Sequence, residues 1–390
     1  MKKSFKYRIH PNIEQRDKLL LTLSLCSDLY NTALEQRIKG YKLGYRVSFY
    51  TQTKELKSLR KDTEYSLIYA QVLGSVLKQL DTAYYNFFRR VKNGEGKVGF
   101  PRFKNRDRFN SITYPQLTWG DGCILKIENK RITIPKIGNI KIKYHREIQG
   151  TPKTLCIKRV NNKWFVILSC DNISVKDKIT NITNKVGIDL GLMNFLTTSD
   201  NEKIDNPRHL KQSEDRIKEL QVKLSSKHKG SNRRRKVKTL LSRTYEKVTN
   251  QRNDFLHKLS HWLINKYDLI CYEDLKVKDM FQIENPKYIK HSINKSIGDV
   301  AWNKFIDMIV YKAEEAGKYA IPIDPKNTSK TCSLCGNIKE DLKLSDRTYH
   351  CDNCNIVLDR DYNASCNILR LGTSLFSNIY ADKPMCFSHR

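Results

Sequence analysis

Two cysteine pairs near the C-terminus, Cys332-x2-Cys335 and Cys351-x2-Cys354, constrain this chain more than any other feature. Fifteen residues separate the pairs. That spacing lets two knuckle turns present four thiolates to one tetrahedral Zn²⁺ at about 2.3 Å. Gly336 supplies the tight turn after the first pair. Four protein ligands leave no open position on the ion, so the predicted zinc is structural and does no catalysis. His350 beside Cys351 reads as a residue that points to solvent or nucleic acid, a reserve ligand at most. The other seven of the eleven cysteines are scattered, Cys366 and Cys386 among them, which suits a reducing, cytoplasmic setting better than a disulfide framework.

The surface of the chain must be heavily charged. Lys and Arg number 72 against 41 Asp and Glu, a net charge of +31 in 390 residues, so the expected partner is a polyanion, nucleic acid first. No run of about 18 apolar residues exists to span a membrane, and no membrane partner is expected. The basic start, Met1-Lys-Lys-Ser-Phe-Lys, lacks the apolar stretch of a secretory signal.

Along the chain, residues 5–9 alternate as a strand. Asn12 then caps a helix carrying Leu20, Leu23, Tyr30 and Leu34. A second helical stripe runs through Tyr69, Leu73, Val76, Leu77, Leu80, Tyr84, Phe87 and Val91, and both stripes read as core. A Gly- and Lys-rich loop over 94–105 carries Arg102 and Lys104 as candidate phosphate contacts. Short alternating runs at 124–127, 131–134, 140–142, 154–159 and 164–169 predict a small antiparallel barrel or sheet. If the first strand joins it, the helices are an insertion between two of its strands. Residues 173–184 read as a linker.

Beyond it, 186–189 and 195–198 read as two strands joined by a glycine turn, and 268–275 as a buried strand. A helix is expected over 296–317 and a last strand over 319–323. The segment 208–252 holds 15 Lys/Arg against 4 Asp/Glu, broken only at Gly230-Ser231. Arg233, Arg234, Arg235, Lys236 and Arg252 in it are candidate phosphate contacts, because unpaired charge at this density is relieved by displacing counterions from a nucleic-acid backbone. Asp254–Lys266 continues as an amphipathic helix.

Three acids follow apolar runs or open a helix: Asp189, Glu273 and Asp361. Acids at strand ends in a basic protein suit a pair of Mg²⁺ ions that stabilise the attacking and leaving oxygens of a phosphodiester. On spacing alone, each could equally cap a helix or pair with a lysine. The order Gly187-Ile-Asp-Leu-Gly, Tyr272-Glu-Asp-Leu, the four-cysteine ribbon and Asp359-Arg-Asp-Tyr-Asn-Ala resembles the TnpB family, RNA-guided nucleases of bacterial insertion sequences related to type V CRISPR effectors. Tyr7-Arg-Ile-His-Pro, Gly99-Phe-Pro-Arg-Phe-Lys, Asn250-x-Arg-x-Asp-Phe and Thr328-Ser-Lys-x-Cys agree, so the resemblance covers roughly 1–371. Lys330, where the family commonly has Gln, and Ser365, in place of a second Ala, are its visible departures.

The resemblance implies an α/β plus α+β multidomain protein. An RNase H-like RuvC nuclease domain (181–325 and 357–371) would carry the zinc ribbon (326–356) as a target-nucleic-acid-binding insertion. A wedge-like β-barrel (1–11 and 106–180) with a helical recognition insert (12–105) would precede it, and 372–390 would be a tail. It further implies Asp189, Glu273 and Asp361 as the catalytic triad holding two Mg²⁺ (or Mn²⁺) ions, with Asp274 facing away and Asp359 not catalytic. The partners would be a guide RNA derived from the transposon end and a double-stranded DNA target beside a short flanking motif. The protein would be cytoplasmic and act at the nucleoid. Rival readings are a transposase acting in DNA transposition, a non-cleaving RNA-guided DNA-binding regulator that lacks use for its acids, and a compact CRISPR effector.

Overall fold

The computed structural model describes residues 1–96, 98–117, 127–276, 298–343 and 345–381. They form two compact units, Met1–Ser174 and Val175–Arg390.

In the first unit, β1 (Lys3–His10) alternates buried Phe5, Tyr7 and Ile9 with exposed Ser4, Lys6 and Arg8, the period-2 pattern of a sheet covered on one face. Three helices follow: α1 (Ile13–Lys42), α2 (Phe49–Leu59) and α3 (Ala70–Lys92). Asn12 caps α1 in a full capping box with Gln15, satisfying two backbone N–H groups that a helix start leaves open. The α3 stripe is buried from Leu73 through Leu80 but emerges further on, where Val91 is exposed, so the core reading holds for its first half. Helix α2 has no sequence counterpart above; its signal is the reciprocal capping box of Ser48 and Thr51.

The remaining strands are β2 (Ser111–Tyr114), β3 (Ile127–Glu128), β4 (Arg131–Ile134), β5 (Gly138–Lys143), β6 (Thr151–Val160) and β7 (Lys163–Asp171). They join β1 in one antiparallel sheet of order β2-β6-β7-β1-β5-β4-β3. Because β1 pairs with β5 and β7, the three helices are inserted between two strands of one sheet. The expected barrel is corrected to an open half-barrel: β2 and β3 end the order, and among the described residues no pairing joins them. Residues 124–126 of the strand expected at 124–127 lie outside the described residues, as do 296–297 of the later helix and 382–390 of the tail.

The second unit is built on β8 (Lys185–Asp189), β9 (Asn194–Thr198), β10 (Lys203–Asp205), β11 (Leu269–Glu273) and β12 (Tyr319–Ile323). The order is β10-β9-β8-β11-β12, with β8, β11 and β12 mutually parallel and β9 antiparallel to both of its neighbours, β8 and β10. Parallel neighbours need long crossovers. Helices α4 (His209–Gln212), α5 (Glu214–Ser225) and α6 (Asn232–Lys266) connect toward β11, and α7 (Trp302–Ala316) connects β11 to β12. After a small hairpin, β13 (Thr348–His350) and β14 (Val357–Asp359), the chain enters α8 (Arg360–Ala381).

The sheet is covered on both faces. Val186, Ile188, Ile270 and Tyr272 pack with Leu256, Leu263, Phe305 and Ile309 of α6 and α7. The alternate residues Leu269 and Cys271 pack with Ile368 of α8. Of residues 173–184, read as a linker, 175–184 form a strap instead: the Ile179 carbonyl accepts from the Tyr319 hydroxyl at 3.2 Å, and Asp268 accepts from the Thr183 and Asn184 N–H groups. No described helix is long and apolar enough to cross a membrane.

Candidate metal and nucleic-acid sites

Strand alternation decides which acids meet. Cys271 sits opposite Gly187 and Tyr272 opposite Ile188, so one further step places Glu273 beside Asp189 at the carboxyl ends of adjacent parallel strands. Such ends are where open α/β sheets receive ligands. Both acids lie on the face that α8 covers. That helix packs unusually close, because a Cβ on Gly187 would lie 2.1 Å from the Ser365 carbonyl and 2.5 Å from the Leu369 nitrogen. The Ser365 hydroxyl folds back onto its own helix, donating to the Tyr362 carbonyl at 2.7 Å, so the serine is accommodated without widening the contact.

Asp361 is in the first turn of α8, and the close packing of that helix brings its carboxylate to where its charge acts on Asp189. Asp359 and Asp361 have separate tasks. One Asp359 carboxylate oxygen accepts from the N–H groups of Asp361 and Tyr362 at 3.0 Å each, which is helix capping, and the other pairs with Lys203 at 2.7 Å. Burial resists its charge, yet Lys203 and these N–H groups hold its pKa below the ordinary value. Asp361 pairs with Arg360 at 3.2 Å, both side chains being mostly buried. Asp274, just past the end of β11, is exposed.

The electrostatics fit a cation. Burial pushes the Asp189 carboxyl well above the usual range, and the carboxylates of Glu273 and Asp361 push it further, with Arg360 as a partial counterweight. Burial also raises Glu273, against a short hydrogen bond from the Thr328 hydroxyl. Asp189, Glu273 and Asp361 bring hard carboxylate oxygens, with the Arg360 guanidinium among them, and such oxygens suit Mg²⁺ or Mn²⁺.

Among the described residues, the group of metal-ligating atoms that closes around a single point is the predicted one: the ligand atoms of Cys332, Cys335, Cys351 and Cys354 all lie within 4.8 Å of one another. Cys332 and Cys354 sulfurs are 3.6 Å apart and those of Cys335 and Cys351 3.5 Å, close to the ~3.8 Å edge of a tetrahedron with 2.3 Å metal–sulfur bonds. The two knuckles repeat one geometry. Gly336 donates its N–H to the Cys332 carbonyl and Asn355 to that of Cys351, both in the left-handed region (φ 78° and 55°). Asn355 stands at the same offset from Cys351 as Gly336 from Cys332, a signal the sequence reading passed over. N–H groups turned toward the sulfur, that of Asn337 first, pull the Cys335 thiol down to about 6. His350 faces solvent beside Asp352 at 3.5 Å and does not enter the cluster.

The candidate phosphate contacts divide. Arg233, Arg235, Lys236 and Arg102 are exposed. Arg234 is not available: its guanidinium donates to the carbonyls of Leu224 and Lys227 and closes the turn between α5 and α6. Arg252 pairs with Asp299, which also accepts from the Leu210 N–H and so pins α4 to α6. Lys104 is half-buried, with its ammonium 2.6 Å from the Gln79 side chain and 4.0 Å over the Tyr30 ring, and burial lowers its pKa. Each of these three cations has a partner within the protein, unlike a freely solvated side chain.

The family profile described as "Probable transposase" (OrfB_IS605) matches residues 168–284, and that of the "Cas12f1-like, TNB domain" matches 302–368. A "Putative RNA-guided DNA endonuclease" of Streptomyces pristinaespiralis is 32% identical over 95% of this chain and 90% of its own length. The chain belongs to the TnpB family. A second TnpB-family relative, the Escherichia coli K12 "Putative RNA-guided DNA endonuclease InsQ", is 27% identical over 96% of this chain and 93% of that one. The "CRISPR-associated endodeoxyribonuclease Cas12f1" of Sulfoacidibacillus thermotolerans is 29% identical over 53% of this chain and 50% of its own length. A further profile, described as "Helix-turn-helix domain", matches residues 1–46, which here form a strand and one long helix.

Proposed function

We propose that this TnpB-family protein is an RNA-guided, metal-dependent DNA endonuclease with a RuvC-type site on an RNase H-like sheet. The observation that carries the reading is the convergence of Asp189 and Glu273, at the ends of adjacent parallel strands, with Asp361 on the helix packed across them. The 3-2-1-4-5 order of the sheet, its second strand antiparallel, supports the same reading. So do the printed names of the two relatives that match nearly end to end.

Asp189, Glu273 and Asp361 would hold two Mg²⁺ or Mn²⁺ ions. Bound there, the ions would stabilise the charge on the attacking and leaving oxygens of a phosphodiester. The protein's own part is to bring three carboxylates to one end of the sheet, two of them, Asp189 and Glu273, where burial disfavours their charge. Arg360, paired with Asp361 at 3.2 Å, offsets part of the negative charge of the carboxylates. The four cysteines would hold one structural Zn²⁺, whose binding folds the ribbon.

Residues 1–11 and 106–180 would serve as the wedge, 12–105 as the recognition insert reading a short flanking motif, 181–325 and 357–371 as the nuclease, and 326–356 as the target-binding ribbon. Arg102, Arg233, Arg235 and Lys236 would contact the phosphates of a transposon-derived guide RNA or a DNA target. Target choice would rest on base pairing with the guide. Sequencing the RNA that copurifies from the native locus tests this. One defined species ending in a variable segment supports it; a smear of cellular RNA means the +31 charge is generic affinity and moves the transposase reading ahead.

A further inference from the structure

We propose that Thr328, at the base of the zinc ribbon, is a positioning residue that fixes the carboxylate of Glu273 for metal binding. The inference rests on the nuclease reading above and adds a residue that this reading does not use.

Thr328 stands four residues before Cys332 and is buried, 3% exposed. Its hydroxyl lies 2.5 Å from Glu273 Oε1 and 3.0 Å from the Pro325 carbonyl. A hydroxyl has one proton to give, and an ionised carboxylate is the stronger acceptor. The proton therefore goes to Oε1, which locks the carboxylate plane and leaves Oε2 for a cation.

The backbone around Thr328 is held as firmly as its side chain. The fully buried Asn367 donates through Nδ2 to the carbonyls of Thr328, at 3.0 Å, and Thr331, at 2.6 Å. Asn363, also fully buried and one turn earlier on α8, donates to the Thr331 carbonyl at 2.8 Å and accepts from the Ser333 N–H at 2.9 Å. The turn leading into the first knuckle is thus fastened to the helix that carries Asp361. Through Thr328 it is also fastened to the strand end that carries Glu273. One residue ties two of the three acids together from outside the metal site. Hydrogen-bond partners behind metal ligands are worth about 10–100-fold in metal affinity or activity.

Thr328→Val keeps the shape and removes the hydroxyl, and Thr328→Ser keeps the hydroxyl. Mn²⁺ binding to the full chain, freed of nucleic acid, is followed by electron paramagnetic resonance with Asp189→Ala as the blank. Cleavage by the RNA-loaded protein is followed as a function of Mg²⁺ concentration. The expected result is an Asp189-dependent Mn²⁺ affinity about tenfold weaker in Thr328→Val and within about twofold of native in Thr328→Ser. Zinc content should stay at one per chain, and the Mg²⁺ requirement for cleavage should rise in parallel. Native-like affinity in Thr328→Val, equal loss in both variants, or loss of zinc from Thr328→Val would each overturn the proposal. A native protein with neither cleavage nor Asp189-dependent Mn²⁺ binding would instead overturn the nuclease reading itself.

Discussion

Gly187→Ala should disable the site without touching any of its acids. A Cβ there would lie 2.1 Å from the Ser365 carbonyl and 2.5 Å from the Leu369 nitrogen, and both obstacles are helix backbone, which has no rotamer to swing away. Reaching an ordinary contact of about 3.4 Å requires α8 to retreat by about 1.3 Å. Forcing extra atoms into a packed interior costs about 1–3 kcal/mol. The functional effect should be larger than the stability effect, because α8 carries Asp361 and the Asn363 and Asn367 clamps. A misplacement of about 1 Å costs on the order of 100-fold in rate. Denaturant unfolding would give the stability change, and cleavage of guide-matched DNA the rate change, with guide-RNA affinity as the control. Gly372→Ala offers a comparison: its Cβ would meet the Cys271 side chain at 2.3 Å, about three turns from Asp361, so it should destabilise with a smaller loss of cleavage. Native stability and native cleavage in Gly187→Ala would refute the close packing on which the whole site depends.

Asp189→Asn should stabilise the metal-free protein at neutral pH by about 0.5–2 kcal/mol while abolishing cleavage, as functional sites commonly trade stability for chemistry. Because burial and two carboxylates raise the folded-state pKa of Asp189, native stability from this group is lost as pH rises through that pKa; the advantage of the variant should therefore vanish in acid, which unfolding at several pH values would check. Cys351→Ser should lose zinc and unfold the ribbon, measured as metal per chain, since zinc binding and folding are coupled there. Asp359→Ala removes the α8 cap and should cost about 1 kcal/mol in thermal unfolding. Arg233→Ala should lower the slope of log affinity against log salt by about one, whereas Arg252→Ala should leave the slope and lower stability, because its charge is already held by Asp299.

How legible the molecule was in its sequence depended on how local the cause was. The cysteine knuckles, the Asn12 cap and the strand ending at Asp189 are set by residues within a few positions of one another, and the structure has them where the pattern put them. Asp189, Glu273 and Asp361 come from three distant segments, and spacing alone left them open to other roles; β pairing and the α8 packing bring them together. Asp359, an Asp just before the start of α8, is a capping residue type in the capping position, a signal the motif reading did not use. Lys104, Arg234 and Arg252 were read by charge density, which cannot distinguish a solvated cation from one closing a turn. Of the expected barrel or sheet, the described residues form a half-barrel sheet, because closure is a property of sheet edges that strand patterns do not encode. Thr328, Asn363 and Asn367 were visible only as letters of motifs, since their work is done by single hydrogen bonds across the fold.

The central claim is tested most directly by cleavage of DNA carrying a match to the variable end of the copurified RNA, with native protein and Asp189→Ala compared in Mg²⁺. The account predicts a cut at the matched site that requires the match, the metal and Asp189, with both proteins binding the RNA equally. Cleavage that survives Asp189→Ala, or that ignores the match, would contradict it.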